Sequence, residues 1–229
     1  MQRNSSTDTQ PHQNTRIRSF VRRAGRMTTA QARALKHYWP IWGIDYTPVT
    51  LNAEEIFGRK APLIIEIGFG NGELLASMAA ANPDQNFIGI EVHGPGVGHC
   101  LLCLHEQSLT NVRLISHDAI DVLNQQIPDG SLHGVNLFFP DPWPKKRQHK
   151  RRIVQADFVS LLSRKIEIGG TFHAATDWAN YAEHIDMTVC ANPAFRVSEA
   201  ETSKRPETKF ELRGKRLGHE IQDLIYTHI

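Results

Sequence analysis

Glu66, Glu91, Asp118 and Asp141 each stand at, or within two residues of, the end of a short apolar run: LIIEI (63–67), FIGIE (87–91), VRLIS (112–116) and VNLFF (135–139). Carboxylates so placed can accept hydrogen bonds from hydroxyl and amino groups, counter an ammonium or sulfonium, and favour a transition state in which positive charge spreads. After the first run comes Gly68-Phe69-Gly70-Asn71-Gly72, leading into a helical pattern. Glycine is needed where the backbone turns tightly and approaches a ligand without a Cβ in the way. A dinucleotide fingerprint would place glycine at position 73, where Glu73 stands, and this counts against a pyrophosphate ligand.

A phosphate-free nucleoside, S-adenosylmethionine, suits these residues better. Glu66, beside the glycine turn, would face its methionine portion. Glu91 lies 19 residues after Gly72, the usual place for an acid that holds both ribose hydroxyls. Asp118 would accept from the adenine amino group. Any one of these acids alone reads as an exposed loop residue; three at successive strand ends, on the carboxyl edge where open α/β sheets bind ligands, read as a cofactor site.

The fourth run continues as Phe138-Phe139-Pro140-Asp141-Pro142-Trp143-Pro144. Proline fixes its own φ and restricts the residue before it, so Asp141 should be held stiffly beside the cofactor. Trp143 offers a flat surface to a base or walls the pocket. Directly after it, Lys145-Lys146-Arg147-Gln148-His149-Lys150-Arg151-Arg152 forms a positive track suited to phosphates, with Arg147, Lys150, Arg151 and Arg152 as expected RNA contacts.

The net charge of +2 conceals segregation. Residues 1–26, 145–152 and 204–216 carry +5, +6 and +4, leaving −13 on the rest of the chain. A polyanion-binding surface on an acidic body would have this distribution. Cys100 and Cys103 form a C-x-x-C, yet no second pair exists to complete a zinc site, and their neighbours Leu101 and Leu102 suggest a buried helix face. No metal is expected. An odd count of three cysteines suits a reducing cytosol. No apolar run approaches the ~18 residues of a membrane span, and the start lacks a secretory h-region. The expectation is a soluble cytoplasmic protein, with monomer and homodimer both open.

These side chains must be positioned by an alternation of short strands and helices, the pattern of a parallel sheet with crossover helices. Further strands are expected at 171–175, 195–199 and 221–229, and helices near 72–81, 96–108, 119–126 and 154–166. The fold class is therefore α/β, and it suits a Rossmann-like class I methyltransferase fold: a seven-stranded, mostly parallel sheet, helices on both faces and a C-terminal antiparallel hairpin. Residues 1–15 read as a disordered tail, 16–60 as a basic arm and helical extension, and 61–229 as the methyltransferase domain. In the extension a helix should run from Thr29 to about Tyr38 and stop before Pro40.

The segments RSFVRRAGR (18–26), YWP (38–40), EIGFGNGE (66–73), IEVHGPGVG (90–98), FFPDPWPKKR (138–147), ATDW (175–178) and TKFELRGKRLGH (208–219) together resemble the bacterial tRNA (guanine-N7-)-methyltransferases. The likeness covers nearly all of the chain after its first residues. It implies methyl transfer from S-adenosylmethionine to N7 of a guanine in the variable loop of tRNA. It also implies cofactor contacts from Glu66, Glu91, Asp118 and Asp141, with Asp141 catalytic. Lys145, Asp177, Thr208, Lys209, Phe210 and Glu211 would hold the substrate. At Gln148 the chain departs from the family's usual His, with His149 next to it. Two other readings compete. A methyltransferase of the same fold acting on a small molecule or protein leaves the three basic runs unexplained, and a non-catalytic RNA-binding module predicts decayed glycines or acids where none has decayed.

Overall fold

In the computed structural model, residues 19–20, 25–198, 205–206, 211 and 220–229 are described. Strands β2 (Leu63–Ile67), β3 (Asn86–Ile90), β4 (Val112–Ile115), β5 (Leu132–Phe138) and β6 (Ile166–Thr176) are parallel; β7 (Phe195–Val197) and β8 (Gln222–His228) close the sheet antiparallel. An eighth strand, β1 (Gly43–Ile44), is added outside β4, so the spatial order is β1-β4-β3-β2-β5-β6-β8-β7. Seven strands fall where the sequence places them; the eighth lies in the N-terminal extension.

Helices cover both faces, and the strands' two-residue alternation assigns side chains to them. Phe87, Val112 and Leu114 pack with α1 (Thr29–Trp42), α3 (Glu73–Ala81) and α4 (Gly94–Glu106). Ile88, Ile90 and Ile115 pack on the other face with α5 (Ala119–Gln125), α6 (Ala156–Lys165) and α7 (Ala179–Cys190). Each fully buried Leu, Ile or Phe contributes about 1.5–3 kcal/mol on transfer from water, so both faces favour this layering. The short α2 (Ala53–Phe57) is capped by Asn52 and ends at Gly58 in the left-handed region.

Helix α1 corrects one expectation. A capping box between Thr28 and Gln31 starts it at Thr29, but it runs through Pro40 to Trp42. Pro40 removes one backbone donor, at an exposed position near the end where the loss is mild. Packing against α4 and the segment after it outweighs this: the indole of buried Trp42 donates to the Leu109 carbonyl at 2.7 Å, and Tyr38 stacks on His105 at 4.2 Å.

Because β2 has β3 on one side and β5 on the other, the direction of winding reverses there. The crevice beyond the carboxyl ends of β2 and β5 is the topological switch point, where open α/β sheets bind ligands.

Candidate active site

The glycine turn opens this crevice. Gly68, Gly70 and Gly72 have φ of 74°, 60° and 77°, the left-handed region that favours glycine. A Cβ on Gly68 or Gly70 would meet nothing within 4 Å, leaving a cradle beside the backbone. A Cβ on Gly72 would lie 2.3 Å from the Cys100 Sγ, and one on Gly96 would lie 2.1 Å from the Gly70 carbonyl oxygen. The turn is thus seated directly on the first turns of α4, and Cys100 is buried packing beneath it.

Glu91 pins this arrangement. Its Oε2 accepts from the Gly70 amide at 3.0 Å, and its Oε1 from the amides of Val92 at 2.7 Å and His93 at 3.0 Å. A carboxylate offers about four lone-pair sites, so capacity remains for a ligand hydroxyl. Asp118 caps α5 by accepting from the Ile120 amide at 3.0 Å. Next to it His117 stacks on Tyr46 at 3.7 Å, the rings nearly parallel, an aromatic wall that the sequence reading did not single out.

Gly68, Glu91, His117, Asp118 and Asp141 all line one cleft, roofed in part by Ser19 and Phe20 of the basic arm. Glu66 does not line it. Strand alternation turns its side chain toward the α3 and α4 face, where it is 2% exposed and its Oε2 has no hydrogen-bond partner among the described residues. Burial pushes the carboxyl up to about 8, against the lowering effect of Arg205 and with a further rise from Glu91. The structure therefore brings three of the four acids and Gly68 together on one cleft and places the fourth, neutral at pH 7, behind the turn.

At the end of β5, Asp141 sits exposed at the cleft between two residues with unusual backbones, Phe139 at φ 50° and Trp143 at φ 46°. Bulky residues rarely adopt positive φ, and such strain persists where surrounding contacts impose it. Those contacts are visible: the Phe139 amide donates to the Ala175 carbonyl at 2.7 Å, and the Trp143 indole donates to the Ser19 carbonyl at 3.1 Å. Arg151 lies over the Trp143 ring at 4.7 Å.

Arg152 departs from its expected place on an RNA-facing surface. It is 2% exposed and lies over Tyr181, donating to the Pro142 carbonyl at 3.0 Å and to Asn180 Oδ1 at 2.8 Å. It braces the Asp141 turn from inside and is withdrawn from phosphate. Lys145, Lys146, Arg147 and Lys150 remain exposed on and before a 3-10 turn, Lys146–Arg151. Asp177 follows β6, half-buried.

Thr208, Lys209 and Phe210 lie outside the described residues, as does most of the basic arm at 16–26. Glu211 is buried, and both its oxygens accept from Arg205, at 2.6 and 3.3 Å. The same guanidinium donates to both oxygens of Asp223, at 2.7 and 3.0 Å. Asp223 is also hydrogen-bonded to His173 Nε2 at 2.8 Å. Burial alone would raise the Asp223 carboxyl; the bonds from His173 and Arg205 outweigh it and hold it at about 2. Arg205, Asp223 and His173 were not singled out from the sequence. Their only signal was an Arg-Pro just before the TKFE run and one acid in the last strand.

Among the described residues no cluster of three His, Cys, Asp or Glu side chains is grouped to hold a metal ion, and no helix is long and apolar enough to cross a membrane.

A family model described as "Putative methyltransferase" matches residues 60–224. A tRNA (guanine-N(7)-)-methyltransferase of Yersinia enterocolitica is 54% identical over 217 residues, covering 92% of this chain and 91% of its own. One from Shewanella amazonensis is 53% identical over 220 residues, covering 93% and 92%. Among solved structures, 16S rRNA methyltransferase KamB superimposes with a TM-score of 0.55 at 12% identity, covering 78% of this chain and 94% of its own. TrmN from Thermus thermophilus gives 0.54 at 13% identity, covering 77% and 47%. At such identities the likeness is one of fold: the α/β sheet is that of the class I methyltransferases.

Proposed function

The chain belongs to the bacterial tRNA (guanine-N7-)-methyltransferases and transfers a methyl group to N7 of a guanine in tRNA; from this premise we propose that the transfer takes place in the cleft at the β2/β5 switch point, with S-adenosylmethionine as donor. The observation that carries the assignment is the convergence of Gly68, Glu91, Asp118 and Asp141 on that single cleft.

The residues present fit the donor. The open cradle at Gly68 and Gly70 admits a ligand against bare backbone. Glu91 keeps capacity for the ribose hydroxyls, and Asp118, at the far side, is placed for the adenine amino group, with His117 and Tyr46 as the neighbouring wall. Glu66, with an unpartnered buried oxygen, is suited to the aminoacyl ammonium reached through the glycine turn. When bound, the donor supplies an electrophilic methyl group on a sulfonium.

Guanine N7 has an exposed lone pair, so the protein need not remove a proton before attack. Its task is positioning, which contributes roughly 7–11 kcal/mol in favourable cases. Asp141, held by the strained Phe139–Trp143 turn, favours the positive charge that spreads over the purine. Lys145, Asp177 and the segment 208–211 hold the substrate. Since N7 lies in the deep, narrow groove of A-form RNA, the target guanine must sit where the helix is open; the family resemblance implies the variable loop, and we adopt that position. Arg147, Lys150 and Arg151 supply phosphate contacts from the basic track, and we assign the reaction to the cytoplasm in keeping with a tRNA substrate.

Labelled S-adenosylmethionine should bind saturably and its methyl group should pass to unmodified tRNA but not to small acceptors. Absence of saturable binding would remove the donor assignment. Mapping the modified base in tRNA from cells lacking the protein, before and after treatment with it, tests the variable-loop assignment.

A further inference from the structure

Arg205 makes one bidentate pair with Asp223 and another with Glu211, while its guanidinium carbon lies 5.3 Å over the ring of Phe138 and 5.4 Å over that of Phe139. These contacts join three separate parts of the chain. Asp223 belongs to β8 and is fixed through His173 to β6. Glu211 ends the TKFE segment. Phe138 and Phe139 are the residues from which the backbone enters the strained turn carrying Asp141. Arg205 does not itself line the cleft.

We propose that Arg205 is a positioning residue for methyl transfer, its planar fork fixing Glu211 and the Asp141 turn to the sheet. This rests on the assignment of Asp141 and the TKFE segment to catalysis and substrate binding. The physical grounds are the chemistry of the fork and the cost of its surroundings. Two carboxylates and one guanidinium taken out of water gain little net stability over well-packed apolar groups, so stability alone is a poor reason for the arrangement. What it supplies is direction: five N–H donors in one plane constrain two carboxylates to fixed bearings, which an ammonium on a flexible stem cannot do. The same guanidinium lies over both rings, so the bearing of Glu211 and the path into the Asp141 turn are set by one group.

The test uses the full chain and two variants, R205K, which keeps the charge and loses the fork, and R205Q, which loses both. Single-turnover rates at saturating tRNA, the dissociation constant for S-adenosylmethionine and the urea midpoint are read for each. The expected result for R205K is a folded protein with donor affinity within about threefold of wild type and a turnover rate lowered about 100-fold, the scale of a misplacement near 1 Å. Combining R205K with E211Q should lose no more than the worse single variant, because the two act as one unit. Full turnover by R205K, or a loss in R205Q that follows the fall in urea midpoint and disappears at lower temperature, would overturn the proposal. So would fully additive losses in the double variant. Wild type assayed alongside separates this from the underlying reading: a wild type silent on unmodified tRNA removes that reading, whereas equal rates for wild type and R205K remove the role of Arg205 alone.

Discussion

In the free protein at pH 7 the Glu66 carboxyl is protonated, because burial raises it to about 8 more strongly than Arg205 lowers it. If its ionised form pairs with the donor's ammonium, binding must release a proton. Affinity for S-adenosylmethionine should then rise by up to about tenfold per pH unit below pH 8, until the donor's own ammonium begins to lose its proton. Calorimetry in buffers of different ionisation enthalpy would show the proton, and E66Q should lose both the proton and the slope. The same shift acts on stability with the opposite sense. A folded-state value above the ordinary 4.5 means that the stabilising contribution is complete below pH 4.5 and is lost as the pH rises through 8. Wild type should therefore lose stability relative to E66Q between those limits, as read from urea midpoints. Asp141 stands differently: exposed, on an imposed turn, with no part in the core. D141A should fold with an unchanged midpoint and lose methyl transfer by about 10³-fold, the scale for removing a preorganised charge at the reacting centre; near-normal turnover would end its catalytic assignment. Residue types were thus readable from spacing, while the side of the sheet that Glu66 faces was not, since its position at a strand end suggested the cleft and the alternation of β2 turns it to the opposite face.

The strand ends and the glycine turn were legible because their signals are local: apolar runs bounded by breakers, and glycines where φ is positive. What α4 does with the turn is less local. Gly94, Gly96 and Gly98 looked like part of a motif, and the structure gives the reason for two of them: Gly96 admits the Gly70 carbonyl and Gly98 admits the backbone of Gln31 in α1. G96A should push the glycine turn off the helix, lowering donor affinity about tenfold or more, or ~1.4 kcal/mol, with a smaller effect on unfolding. G72A, strained at φ 77° and abutting Cys100, should instead destabilise the fold by about 1–3 kcal/mol, and both readouts on both variants would check the distinction. Elements that depend on distant partners were not legible. The strand β1 has two residues and exists only because Gly43 and Ile44 pair with Leu114 and Ile115. Helix α1 outruns Pro40 because Trp42 has a carbonyl to reach on another element. Helix α7 is not among the helices expected from the sequence; it buries a stripe of Tyr181, Ala182, Ile185 and Val189.

Across the whole molecule, the segregation of +15 from −13 points to a polyanion-binding surface without saying which cations face outward. Of the six in 145–152, Arg152 is buried under Tyr181 and Arg151 lies against Trp143, whereas Lys145, Lys146, Arg147 and Lys150 are exposed. A charge count overstates the phosphate contacts that the track can make, because an arginine near the site is also the side chain best suited to bracing a turn through several carbonyls. The two roles predict different responses to salt. Each phosphate neutralised by an exposed cation releases counterions and steepens the fall of log affinity with log salt by about 0.7–0.9. Replacing Lys146, Arg147 and Lys150 together by Gln should therefore weaken tRNA binding and flatten that slope by about two to three, with little change in the urea midpoint. R152Q should do the reverse: it leaves the Pro142 carbonyl and Asn180 without their buried donor, so the midpoint falls while the slope of any folded protein stays that of wild type. Filter binding of unmodified tRNA between low and moderate salt, run on both variants, distinguishes the two. An unchanged slope in the triple variant would place the RNA on another face, and a flattened one in R152Q would return that arginine to the phosphates.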